Sequence, residues 1–353
     1  MTVARVAFVA LLAVLPLVAT AGGDAARLEA YARLGPAPRD VHGFRNLDPE
    51  FRRASPWRRA RFYALGLYAL LNGERRVAPL PAVPSTVRAR PPAAGVATVT
   101  WIGHSTLLIQ LDGVSILTDP TWSDRVGPWS GTVGVGRYTP PGVAFDDLPP
   151  IDVVLISHDH YDHLDEPTVR RLAARFRPRF VVPLGLKAWL EDRDVTNVVE
   201  LDWGAHTSWR GLTIVCAPAQ HGSGRSLADQ ARRLWASWVV VGSKRFYFGG
   251  DTGYAAHFER IGEALGPFDL AALPIGSYSP PQIARPVHVS PEEALQAWQD
   301  LRATRFVAIH WGTFALARER YDEPPKRLAR AVARRGIDRD AVWVLAPGET
   351  RRW

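Results

Sequence analysis

The chain of 353 residues predicts a mixed α/β domain behind an N-terminal helical extension, and three observations carry that expectation. Short β-branched or aromatic runs bounded by turn residues recur from Ala97 onward, which is the pattern of strands. Segments of helical composition alternate with them after Asp165. Four of the runs end in histidine or aspartate, as they would if their ends met on one rim of a sheet. With 47% hydrophobic residues, the chain can bury one large core or two modest ones.

The densest run end is Val153 to Asp165, VVLISHDHYDHLD. Val153, Val154 and Ile156 read as a buried strand, and the loop that leaves it delivers His158, His160, Asp162 and His163. Imidazole nitrogens and carboxylate oxygens are the ligands that zinc and similar metals accept. So many donors and acceptors on one turn would be uncompensated unless a cation organised them. His158 and His160, two apart, can serve one position while Asp162 and His163 serve a second, giving two half-built sites. The missing partners are sought at other strand ends: His221 after Leu212 to Ala217, Asp251 after Arg245 to Phe248, and His310 after Phe306 to Ile309. A lone strand-end histidine is more often a hydrogen-bonded structural residue, so the weight lies on the ordered set. The assembled expectation is one metal on His158, His160 and His221, a second on Asp162, His163 and His310, and Asp251 bridging both.

This constellation resembles the metallo-β-lactamase superfamily, whose HxHxDH motif matches His158 to His163. Within it the chain is similar to the N-acylphosphatidylethanolamine-hydrolysing phospholipase D group of zinc hydrolases. The likeness is carried by WIGHSTLLIQLDG from Trp101, ILTDPTWS from Ile116, AQHGSGR from Ala219, FGGDTGY from Phe248, VHVSPEEA from Val287 and IHWGTFALARERYDEPP from Ile309. It covers most of residues 96 to 330. It implies an αββα sandwich of two mostly antiparallel sheets between helices; strand count and alternation merely permit that layering. It further implies two zinc ions per chain, other divalent metals being possible, and a phospholipid or other phosphodiester substrate cleaved by metal-bridged hydroxide. Asp159 stands where the group often has Asn and is read as outward-facing.

Taken in order, residues 1 to 21 read as a signal peptide: Arg5, an apolar stretch from Val6 to Val18, and Ala19-Thr20-Ala21 as a cleavage site. Export to a periplasmic or membrane-associated location is the expectation, by cleavage or as an uncleaved anchor. Cys216 is the one cysteine, so an internal disulfide and zinc-thiolate fingers are excluded. Residues 22 to 95 read as an extension with a helix at Ala25 to Leu34 and a Pro-rich linker, and residues 96 to 353 as the main domain. Trp57 to Leu71, with Arg58, Arg59 and Arg61 before aromatics and leucines, suits either a membrane-surface helix or one packed on the domain.

From Ala97, Gly103-His104-Ser105 and Asp112-Gly113 separate three strands with hairpin chemistry. His104 closes one turn as a hydrogen-bonded ring beneath the metals, and Asp119 is a supporting or substrate-facing carboxylate. Arg225 could clamp a phosphate oxygen or simply decorate the surface, and Tyr278, within the resemblance, joins it as a substrate contact. His288 either orients the phosphate and protonates the leaving oxygen, or makes a hydrogen bond at the start of a helix capped by Ser290 and Glu293.

The formal charge of +8 favours anionic partners. A nuclease of this superfamily carries an inserted domain before its last histidine, and the 58 residues between Asp251 and His310 leave no room, so no nucleic acid is expected. A lactonase or other small-molecule hydrolase on the same scaffold is the rival reading, and a non-catalytic metal-holding protein the third.

Overall fold

The computed structural model describes residues 21–353 apart from 33–34, 56, 59, 62–63, 67–77, 88–94 and 130. The signal-peptide expectation for residues 1 to 21 therefore lies outside the described residues except for Ala21, and so does much of Trp57 to Leu71. Among the described residues, no helix is long and apolar enough to cross a membrane.

Fourteen strands build two sheets of seven. β1 (Thr98–Gly103), β2 (Thr106–Leu111), β3 (Val114–Thr118), β4 (Val153–Leu155), β5 (Arg179–Pro183) and β6 (Val198–Leu201) belong to the first. β7 (His206–Trp209), β8 (Leu212–Ala217), β9 (Ser237–Val241), β10 (Arg245–Phe248), β11 (Leu270–Pro274), β12 (Arg305–Ile309) and β13 (Val342–Trp343) form the second. β14 (Thr350–Arg352) returns to the first. The orders are β6-β5-β4-β3-β2-β1-β14 and β7-β8-β9-β10-β11-β12-β13.

Mostly antiparallel sheets were expected, and in this respect the expectation is corrected: each sheet has three antiparallel and three parallel pairings. The reason is in the connections. Tight turns join β1 to β3 and β7 to β8, so these strands reverse, whereas a long loop leads from β3 to β4 and helices carry the later crossovers, bringing the chain back in the same direction. Those helices are α2 (Glu166–Phe176), α3 (Lys187–Glu191), α4 (His257–Leu265), α5 (Pro281–Ala284), α6 (Pro291–Asp300) and α7 (Glu323–Arg334), while α1 (Ala21–Ala32) precedes both sheets.

Alternating side chains divide the core into layers. On β2, Leu107, Ile109 and Leu111 join a cluster shared with the second sheet, while Leu108 joins a separate cluster with Val169 and Leu172 of α2. On β4, Val153 and Leu155 face the first cluster and Val154 the second. Both faces of these strands are covered, which is why they read as continuous apolar runs instead of alternating ones. Helix α1 packs on α4, α4 on α6, and α6 on α7; Phe258, Leu295, Leu328 and Val332 bury their side chains in the core. The extension takes part, with Tyr31 and Ala37 buried against the same cluster.

β14 and α7 are among the elements that lack a clear sequence pattern. β14 is Thr-Arg-Arg, an edge strand held by backbone pairing to β1. α7 is rich in arginine and buries only the stripe Pro324, Leu328, Ala331 and Val332. The capped helix start is as expected: Ser290 and Glu293 form a reciprocal capping box on α6.

Candidate metal centre

Four strand ends deliver the polar residues. The loop after β4 is fixed before it reaches the histidines: the Trp238 indole donates to the Ile156 carbonyl at 2.9 Å, and Ala236 N–H donates to the Ser157 carbonyl at 2.8 Å. The β10 end approaches it closely, and a Cβ on Gly250 would lie 2.6 Å from that of Ser157. Gly250 also takes φ +56, so both room and backbone demand glycine there. His104, Asp119, Ser277 and His310 hold positive φ without being glycine, a concentration of backbone strain typical of functional sites.

The expected residues converge into two groups. In the first, His158 Nε2 is 2.8 Å from His160 Nδ1, and His221 Nε2 is 3.2 Å from the same atom. In the second, Asp162 Oδ2 lies 3.3 Å from His163 Nε2 and 3.4 Å from His310 Nε2. Asp251 stands between them. Its Oδ2 is 3.2 Å from His163 Nε2, 3.8 Å from His221 Nε2 and 4.0 Å from His158 Nε2, and its Oδ1 is 3.0 Å from His310 Nε2. Ligand atoms around a tetrahedral ion at ~2.0–2.1 Å sit roughly 3.3 Å apart, so both groups fit a cation. A second observation supports the fit: His163 Nε2, His310 Nε2 and Asp251 Oδ1 are buried with no hydrogen-bond partner among the described residues. Leaving such atoms unpaired costs about 1–3 kcal/mol each, and an ion satisfies all of them.

Comparison with known proteins agrees with this geometry. The model of the β-lactamase superfamily domain matches residues 115–311. A Mycobacterium tuberculosis protein without assigned function is 44% identical over 339 residues, 94% of this chain and 88% of its own. The N-acyl-phosphatidylethanolamine-hydrolyzing phospholipase D 1 of Caenorhabditis elegans is 42% identical over 259 residues, 69% of this chain and 72% of its own. The chain belongs to the metallo-β-lactamase superfamily. Its fold matches an isothiocyanate hydrolase from Delia radicum gut bacteria at TM-score 0.59 and 22% identity, over 72% of this chain and 99% of that one. It is a metal-dependent hydrolase of the metallo-β-lactamase fold.

In this metallo-β-lactamase fold the rings of His158, His163 and His221 are held from behind. His163 Nδ1 donates to Asp119 Oδ2 at 2.7 Å, and Asp119 also accepts from Ser157 N–H and Oγ–H at 2.7 and 2.6 Å. Asp119, fully buried, thus positions His163; its substrate-facing alternative is corrected, because all its contacts point inward. His104 Nε2 lies 3.0 Å from Asp162 Oδ2. His158 Nδ1 meets Ser157 Oγ at 2.8 Å, and His221 Nδ1 donates to the Val287 carbonyl at 2.9 Å. His288 lines the cavity with Nδ1 3.7 Å from Asp251 Oδ2.

The two groups differ electrostatically. Burial, reinforced by the neighbouring His163, pushes His158 well below the ordinary imidazole range, and burial does the same to His221 against the pull of Asp251. Burial acts in that direction on His310 too, but Asp251 and Asp162 outweigh it and push the ring up to about 9. His288 is lowered to about 4 by burial, Asp251 opposing.

Three expectations are corrected. Arg225 does not face the cavity: its Nη1 donates to the Asp159 and Leu164 carbonyls, both at 2.8 Å, and its guanidinium stacks 3.9 Å from the centre of the Tyr161 ring. It braces the histidine loop from outside instead of clamping a phosphate. Tyr278 turns towards α7, donating to Glu323 Oε1 at 2.8 Å, while its neighbours Ser277 and Ser279 line the cavity. Asp159 is not outward-facing; it is fully buried, accepts from Gly224 N–H at 2.7 Å and pairs with Arg233 at 2.8 Å.

Asn46 is a participant that sequence reasoning missed. Its amide donates to the His221 carbonyl and accepts from His221 N–H, both at 3.0 Å, and its Oδ1 also accepts from the Trp235 indole at 3.1 Å. Only its place in a polar segment, GFRNLDPEF, could have hinted at this.

Proposed function

We propose that this hydrolase is a two-zinc phosphodiesterase of phospholipase D type, acting on N-acylphosphatidylethanolamine or a related phospholipid. The observation that carries the reading is a cavity of about 420 Å³ with two kinds of wall. Its lining includes the polar His160, Asp162, His221, Asp251, His288 and His310 and the apolar Val126, Ile283, Ala284, Leu316 and Ala317. A substrate with a charged centre and apolar arms suits such a wall, as small cyclic substrates do not. Similarity to the C. elegans phospholipase D supports the same choice.

In this reading His158, His160 and His221 hold one ion, Asp162, His163 and His310 the other, and Asp251 both. When bound, the ions supply water activated near neutral pH and charge compensation for a phosphoryl oxygen. The chain does the rest. Asp119 and the Val287 carbonyl keep the His163 and His221 rings in the tautomer that presents Nε2. His288 borders the reacting space and orients the phosphate or passes a proton to the leaving oxygen.

Around the mouth, Arg58, Arg61, Leu65 and Arg318 line a second depression that shares Pro280 and Ile283 with the cavity. Trp57 is 76% exposed. Basic and apolar residues together suit contact with an anionic membrane surface, and an exported location at such a surface accords with the leader-like N-terminus.

The test is turnover of N-acylphosphatidylethanolamine, a soluble phosphodiester, a lactone and a β-lactam by one zinc-loaded preparation. Release of phosphatidic acid from the lipid is expected to dominate. Lactone turnover without phosphodiester cleavage would transfer the reading to a lactonase.

A further inference from the structure

We propose that Arg53, from the N-terminal extension, is the anion-binding side chain of the cavity, receiving the negative charge of a phosphodiester beside His221. The inference rests on the phosphodiester reading above. Arg225, the arginine that the sequence offered for this task, is committed beneath the histidine loop. Among the described residues that line the cavity, Arg53 is the one arginine or lysine.

Its guanidinium packs on the loop that carries His221. Nη2 lies 3.5 Å from the His221 carbonyl and Nη1 3.5 Å from Gln230 Oε1. The cationic head therefore sits against the backbone of a residue whose ring belongs to the ligand group. The segment that carries it is anchored in register. Phe44 N–H donates to the Ala231 carbonyl at 2.8 Å, and Asn46 clamps both backbone groups of His221.

Gly222 supplies the independent observation. A Cβ there would stand 1.2 Å from Arg53 Nη2 and 2.4 Å from its Cζ. Gly222 is not in the left-handed region, so no backbone strain calls for glycine. What the position provides is room, and the guanidinium fills it. A planar guanidinium can offer two parallel N–H donors to phosphate oxygens, a match that a neutral ester or lactone cannot exploit. Arg53 is then the residue that selects an anionic substrate, while the apolar walls accept its arms.

The experiment uses the full-length zinc-loaded protein and two short-chain probes, dihexanoylphosphatidic acid and uncharged dihexanoylglycerol, with affinities measured by calorimetry. Arg53→Ala is expected to weaken the phosphatidic acid by about tenfold to a hundredfold, the scale of a lost charged hydrogen bond. Dihexanoylglycerol affinity and zinc content stay at wild-type levels, and Arg53→Lys recovers part of the loss. Gly222→Ala, which pushes the guanidinium aside, reproduces the Arg53→Ala defect, and the double variant is no worse than either single one. Phosphatidic acid affinity within twofold of wild type in Arg53→Ala overturns the proposal, as does equal weakening of both probes. Because binding is read without turnover, the outcomes separate. A wild type that binds the anionic probe but cleaves no phosphodiester sinks the functional reading alone.

Discussion

The two ligand groups share Asp251, but what stands behind their rings differs. The group of His158, His160 and His221 is supported by neutral partners, a Ser157 hydroxyl and a Val287 carbonyl. The group of Asp162, His163 and His310 contains its own carboxylate and has a second one, Asp119, directly behind His163. The rings respond accordingly, His158 and His221 being driven towards neutrality by burial and His310 held up to about 9 by acidic neighbours. On the two-ion reading, a cation gains more Coulombic stabilisation in the acidic group, and the all-histidine group empties first under a chelator. The lesson is that pairs of sites built from one short motif are made unequal by what stands behind the ligands.

Ways to break this comparison differ in expected size. Asp251→Ala removes the shared ligand, and it should cost at least about a thousandfold in turnover, the scale of losing electrostatic stabilisation at a reacting centre. It should also lower metal content at both positions. Asp119→Asn acts directly on the acidic group and reaches the other only through Ser157; chelator competition should report about 10–100-fold weaker binding of one ion, as for other outer partners of metal ligands, with the other weakened far less. Equal weakening of both would remove the contrast.

His257 tests the neutral side by pH. It is buried 3.3 Å from Thr252 Oγ1, and Thr252 in turn accepts from Gln220 N–H beside His221. Burial, with Arg260 adding, lowers His257 from 6.5 to about 3. Between those values the unfolded chain holds a proton that the folded chain refuses, so this contribution is intact above pH ~6.5 and stability falls as pH drops towards 3. At pH 5 the loss is about 2 kcal/mol, and denaturant melts of His257→Gln should show the stability lost between pH ~7 and pH ~5 smaller by that amount. A slope identical to wild type would refute the neutral support. Ser157→Ala should be the mildest, weakening the all-histidine group by a few-fold; a larger loss than that of Asp119→Asn would reverse the ranking.

The residues that the sequence revealed are those whose position follows from the strand that carries them. His158, His221, Asp251 and His310 each follow an apolar run, and strands β4, β8, β10 and β12 end on one rim, so the run end predicted the meeting place. Arg225 and Tyr278 were misjudged because a long side chain on a loop goes where its neighbours allow; Tyr161 and Glu323, distant in sequence, decided their directions. Asn46 was invisible for a related reason, since it recognises the backbone of His221 and backbone recognition leaves no sequence pattern. The parallel half of each sheet was hidden in the connections, not in the strands.

The central claim is that two ion positions share one carboxylate. Elemental analysis after zinc loading and dialysis measures it most directly, in wild type and in Asp251→Ala. The account predicts two zinc ions per wild-type chain and fewer than one in the variant. Two ions retained by the variant, or none by the wild type, would contradict it.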